Sequence, residues 1–367
     1  MPPTRTGRGQ ALLWRSLMAD RAPSAPLSIS PAQTPAPAAV KPRPSRPRLT
    51  LARLGDQVYS AVTFLAALSI FVIIFWLVWQ LSGASLQSIH HFGWTFLTRS
   101  GWDEQADPPN FHALGFIFGT LYSSLIALLL AVPVSIGAAI FLSELAPRWI
   151  RTPATFLIEL LAAIPSVVYG LWGLFILIPF LKIVIVKPVL NSHLPHERII
   201  GGLFTGQSAG NSMMAAGIIL AIMVTPFITA VTRDILRAIP RAQREGSYAL
   251  GATQWETIAR VVVPYAKSGI IGAVILGLGR ALGETMAVTM LIGNQLPTTP
   301  SGISFSLFET GATMSSQLAN KFSDASPGIY RSAMVEIALV LFGVTIVVNM
   351  CARLLVYYTA KDVQGGK

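Results

Sequence analysis

The chain has 367 residues, 53% of them hydrophobic and only 12% charged, with a net charge of +11. That balance excludes a soluble globular domain, because several apolar stretches exceed the roughly 20 residues that cross a hydrocarbon core. The positive excess does not point to nucleic acid, since basic segments on the inner side of a membrane produce the same surplus.

Met1 to about Thr50 are rich in Pro, Ala, Ser and Arg, as in Lys41-Pro-Arg-Pro-Ser-Arg-Pro47. Such a stretch has too little apolar surface to offset ordering entropy, so residues 1–54 are expected to form a disordered cytoplasmic tail, in reach of anionic lipid. The arginines are not followed by a short apolar core and a small-residue cleavage site, so the first span is expected to direct insertion.

Hydropathy then places six spans, at about 58–82, 114–142, 156–181, 213–232, 268–293 and 331–357, within a transmembrane domain over 55–360 and ahead of a short tail at 361–367. The expected fold class is an all-α integral membrane protein with six transmembrane helices. Pro133, Pro165 and Pro179 predict kinks inside their spans. The run Ile183–Val186, followed by Lys187 and Pro188, is too short to cross and reads as a loop. Glu159 and Glu336 lie near span ends and are expected to reach the interface.

Basic residues set the orientation. With both termini in the cytoplasm, twenty of the 27 Lys and Arg lie inside, six outside, and Arg280 within the membrane. Leaving out those before the first span still leaves eleven inside.

The single cysteine, Cys351, excludes an internal disulfide and reads as a packed membrane thiol. His193 and His196 have metal-like spacing but flank Pro195 in a loop, so no metal site is expected. Gly201 to Gly210 is glycine-rich without a lysine and reads as a turn entering span four. No Gly-x-x-x-x-Gly-Lys followed by Ser or Thr occurs, so the chain has no nucleotide loop of its own.

Between spans four and five lies a basic inner loop, 233–267, in which Pro240 and Pro264 are expected to flank a helical piece. Within it, Glu245-Gly-Ser-Tyr-Ala-Leu-Gly251 is followed by Val261-Val-Val-Pro264. Small residues at 246, 247, 249 and 251 let a helix approach another chain closely, and Gly251 permits a sharp turn. This spacing resembles the Glu-Ala-Ala loop of ABC-importer permeases, with Gly246 and Ser247 in place of the two alanines and Val261 and Val263 in place of Ile and Leu. The resemblance implies a type I, MetI-like permease arrangement. It also implies that Glu245, Gly246, Ser247, Gly251 and Pro264 belong to the loop that contacts a separate ATPase subunit.

Span five carries Arg280 and Glu284 four residues apart. An arginine near mid-bilayer costs from ~3 to ~10 kcal/mol or more and is retained where it faces protein, water or a ligand. On a continuous helix the two share one face, and Gly277, Gly279 and Gly283 add close-packing surface, including Gly279-x-x-x-Gly283. Arg before Glu is the weaker order for an internal pair, which leaves the guanidinium free for an oxyanion. A buried pair that only fixes helix register is the other reading of these residues.

The run from Leu276 to Asn294 resembles the permeases of the phosphate-specific ABC importer, of the C-type, and the similarity covers about 55–360. The resemblance implies a non-enzymatic subunit of the bacterial inner membrane that forms half of a phosphate path, and the reading of the residues themselves places Arg280 and Glu284 along it. Its implied partners are a homologous A-type permease, two ATPase subunits that bind ATP and Mg, an extracytoplasmic phosphate-binding protein, and lipid, with no nucleic acid and no cofactor in this chain. A permease for another oxyanion, a gradient-driven anion transporter and a membrane-embedded enzyme are the competing classes. The last lacks any nucleophile, base or metal cluster in the sequence.

Overall fold

The structure, a computed structural model, describes residues 49–190, 203–204, 210–296, 298–299 and 302–364. The N-terminal tail before Leu49, His193, His196 and most of the Gly201–Gly210 segment lie outside the described residues. Residues up to Ala67 form one unit and Leu68–Lys367 a second, compact one.

Six helices are long and apolar enough to cross a membrane. Helix α1 is Leu49–Phe92, and its exposed residues Phe71, Phe75, Trp76 and Trp79 give it the character of a lipid-facing helix. An antiparallel hairpin of β1 (Ser100–Asp103) and β2 (Asn110–Ala113) leads into α2 (Leu114–Leu145). Then come α3 (Arg148–Ala163), α4 (Ser166–Leu190) and α5 (Met213–Ala238). After α6 (Arg241–Ala249), α7 (Gln254–Leu282) and the short α8 (Met286–Leu291), a small hairpin of β3 (Thr298–Thr299) and β4 (Gly302–Ile303) leads to α9 (Met314–Lys321) and α10 (Ile329–Gln364).

The centre of the molecule is the α2–α5 pair. Gly119, Ser123, Ala127, Ala131, Ser135 and Ala139 recur every fourth residue and are all buried, so α2 presents a continuous seam of small side chains. Lipid tails are as apolar as leucine, so close van der Waals packing and hydrogen bonds hold such a seam rather than exclusion of water. Two cross-helix bonds do the latter: Ser135 Oγ donates to Thr225 O at 3.1 Å and Thr229 Oγ1 to Ser135 O at 3.4 Å. The end of the molecule that carries the β1–β2 hairpin has its own cluster, in which Phe96, Phe111 and Phe116 pack with Tyr330 and Met334 of α10.

Five sequence expectations need correction. Span three is two pieces: Ile164, the residue before Pro165, is extended (ψ 131°), as the proline ring demands of its predecessor, and ends α3. The pieces follow α5 in succession. Glu159 of α3 meets Arg233 near the inner end, Tyr169 and Trp172 line a cavity with Ile222, and Ile178 abuts Gly210 at the outer end. The run Ile183–Val186 is not a loop but a π-helical turn that carries α4 on to Leu190.

Span five begins at Gln254, because Pro264 lies inside α7 rather than ending a helical piece; the π-turn Ile258–Val262 just before it absorbs the missing N–H. Pro240 does precede a helix, α6. Cys351 is exposed rather than packed. Nor do both interfacial carboxylates reach the interface: Glu336 is only 6% exposed, with Oε2 unpartnered.

Candidate functional site

Span five does not cross as one helix. Helix α7 rises antiparallel along α5, with Gly269 against Ile235 and Gly277 against Val224 and Ile228. It stops at Leu282, and Gly283-Glu284-Thr285 leaves the helical path before α8 begins at Met286. The break is well below the outer end of α5, because Ser212, the residue before α5, donates its N–H to Leu291 O at the far end of α8 (3.1 Å). Non-helical backbone at such depth is tolerated only where it is covered by protein or lines an aqueous cavity, and broken helices near mid-membrane are where transporters hold solutes.

Arg280 lies in the last turn of α7, at the depth of Phe227, whose ring centroid is 5.9 Å from the guanidinium carbon. The contact is a cation–π interaction, about 0.5–2 kcal/mol depending on desolvation. The Arg280 side chain is exposed on this chain. Glu284 is half-buried, and its Oε1 accepts the N–H of Ala287 at 3.3 Å, so it caps α8. Arg280 and Glu284 therefore do not share a helix face, and among the described residues no ion pair joins them; the helix end at Leu282 separates them. The glycine expectation shifts too. Gly277 makes the close contact, whereas Gly279 touches Asn349 at ordinary distance and Gly283 lies in the break.

Ser315 completes the arrangement, and the sequence did not single it out. Its Oγ donates to the Glu284 carbonyl at 2.9 Å, satisfying one of the groups freed by the break. Thr313 and Ser316, which form a capping box at the start of α9, were the available signal for a buried, well-fixed turn there. Phe227, which follows Pro226 in an apolar run, gave none.

The inner loop is built around α6. Glu245 is exposed, a Cβ at Gly246 would meet nothing within 4 Å, and Ser247 is hydrogen-bonded to Thr257 across the turn (2.9 Å). Gly251 adopts φ +84°, a conformation that disfavours any side chain. Leu250 is 90% exposed and Trp255 also stands clear, while Pro264 lies a helical stretch away in α7. Next to the β1–β2 hairpin, Tyr330 Oη donates to Glu104 Oε1 (2.7 Å), and Lys321 Nζ lies 3.9 Å from the same carboxylate. His112, on β2, is held neutral to lower pH than usual by burial and then by the charge of Arg99.

The family model for the binding-protein-dependent transport system inner membrane component matches residues 131–364. The chain is 43% identical over 300 residues to the phosphate transport system permease protein PstC of Mesorhizobium japonicum, covering 82% of this chain and 89% of that protein. It is 42% identical over 303 residues to the protein of the same name from Haemophilus influenzae, covering 82% and 93%. Among solved structures, a chain of the bacterial alginate ABC transporter in complex with its pentasaccharide-bound periplasmic protein superposes with a TM-score of 0.50 at 15% identity, covering 81% of this chain and 94% of that one. That last likeness bears on the fold alone.

Proposed function

Because the chain belongs to the family of binding-protein-dependent transport system inner membrane components, we propose that it is the permease subunit of an ATP-driven phosphate importer and that Arg280 lines its half of the path. It is a multi-pass protein of the inner membrane. Phosphate follows from the relatives named for its transport. The observation that carries the role of Arg280 is its position: exposed on this chain, at mid-depth, beside unwound backbone.

A guanidinium facing lipid at that depth is expensive, so its exposed side calls for a second chain or water. A homologous A-type permease on that side encloses a path between the two subunits. The planar fork of donors on Arg280 suits the oxygen edge of phosphate. Glu284, by capping α8, keeps the break in register instead of neutralising the arginine, so the cation stays available. Gly283, with no side chain, leaves the solute room to approach.

The work is done elsewhere. Two ATPase subunits bind ATP with Mg and receive the exposed face of α6, from Glu245 through Gly251, while a soluble phosphate-binding protein outside delivers the ion to the outer loops. Both termini lie in the cytoplasm, as the distribution of Lys and Arg requires. Coupling needs each ligand to favour one of two conformations, and the broken fifth span is the element that can take two.

The test is radiolabelled phosphate uptake by the complete complex carrying Arg280→Gln. Uptake is expected to fall about a hundredfold or more, the scale of losing a charged transition-state contact, with normal subunit amounts. Retained uptake at those amounts overturns the role of Arg280, and equal competition by sulfate overturns phosphate as the preferred ion.

A further inference from the structure

We infer that Arg244 and Glu144 form the joint through which movement of α6 reaches the membrane helices, so that they are positioning residues for coupling. The inference rests on the function proposed above, and it concerns residues that take no part in the path. Arg244 precedes the exposed Glu245 on α6, but its own side chain is shielded. Its Nη2 donates to Glu144 Oε1 at 2.7 Å and its Nε to Glu144 Oε2 at 3.2 Å, a fork-on-fork pair. The same guanidinium donates to the carbonyls of Leu236 (2.8 Å), in the last turn of α5, and of Ile239 (2.8 Å), the residue after it, so it reinforces the end of α5. The two side chains are only 18% and 11% exposed.

Glu144 lies in the π-helical turn that closes the inner end of α2. Its own carbonyl accepts Gln254 Nε2 at 3.1 Å, from the first residue of α7. The side-chain pair thus joins α6 to the ends of α2 and α5, and the backbone of Glu144 adds the start of α7. An exposed ion pair gives little stiffness, but a shielded, four-bond guanidinium clamp resists displacement.

Force on α6 is therefore passed to α2 and α5 as a unit. Helix α5 carries Phe227, the ring beneath Arg280, and Val224 and Ile228, which seat Gly277 of α7. The joint thereby links the inner surface to the broken span. Lysine cannot replace the fork, because it offers one charge centre and no planar pair of donors.

The experiment measures phosphate taken up per ATP hydrolysed by the complete complex in proteoliposomes, using radiolabelled inorganic phosphate and normalising to assembled complex. Arg244→Gln and Glu144→Gln are each expected to keep ATP hydrolysis and to lower that ratio about tenfold. Arg244→Lys should fall between them and wild type, and the double variant should be no worse than either single one, as for residues acting as a unit. A wild-type ratio in the assembled fraction of both Gln variants, even if fewer complexes form, overturns the inference, and so do additive losses in the double variant. A wild-type complex that hydrolyses ATP and moves no phosphate instead counts against the proposed substrate, and leaves any change in ATP coupling to be read on the ion that is moved.

Discussion

Gly119 leaves no room for a methyl group, because a Cβ built there runs into the carbonyl of Ala312. Gly119→Ala is expected to lower the stability of the purified complex by about 1–3 kcal/mol, the usual cost of overpacking a tight seam. Gly272→Ala is the control, since a Cβ at that glycine meets nothing within 4 Å. Equal melting temperatures for the two variants refute the packing argument. Arg280 could be singled out from sequence because a charge inside an apolar run is rare and costly whatever its partners. The role of Glu284 could not: four-residue spacing implies a shared face only while the helix continues, and here it ends at Leu282. Arg244 is one of several arginines in a basic loop, and only the fold shows that α6 turns it inward onto Glu144.

Helix breaks differ in how well local sequence announces them. Pro165 announced a kink, because proline constrains its predecessor, but not that the span begins only there, and the extension of α4 through Ile183–Val186 was not legible, since a span count stops once the bilayer is crossed. Nor did the early start of α7, where a π-turn lets Pro264 remain inside a helix. The break after Leu282 lacks a proline and depends on Ser315 from a distant element to take up the freed carbonyl of Glu284. The outer hairpin makes a prediction of its own. Burial and Arg99 lower the His112 pKa below 6.5, and Nδ1 has no partner, so the folded hairpin resists taking a proton that the unfolded one accepts. Its stability is therefore full above about pH 6.5 and declines as pH falls below it. Trp102, against Phe111 on the same hairpin, reports this: its fluorescence should change on acidification in wild type and much less in His112→Gln. Identical profiles in the two proteins refute the assignment.

Across the whole molecule, composition was the most informative level: six apolar helices cross in the order that hydropathy predicts. The charge bias predicts a direction, with both ends on the cytoplasmic side. A reporter fused after Lys367 should be active only if it is a cytoplasmic enzyme, and activity from a periplasm-dependent reporter at the same site reverses the topology. What no composition could convey is that Arg280, at the depth of Phe227, is exposed on this chain. The consequence reaches back to biosynthesis. On the proposed pairing with a second permease, a copy inserted without its companion would carry an uncompensated charge against acyl chains, and the output of the two halves would have to be matched or the excess cleared.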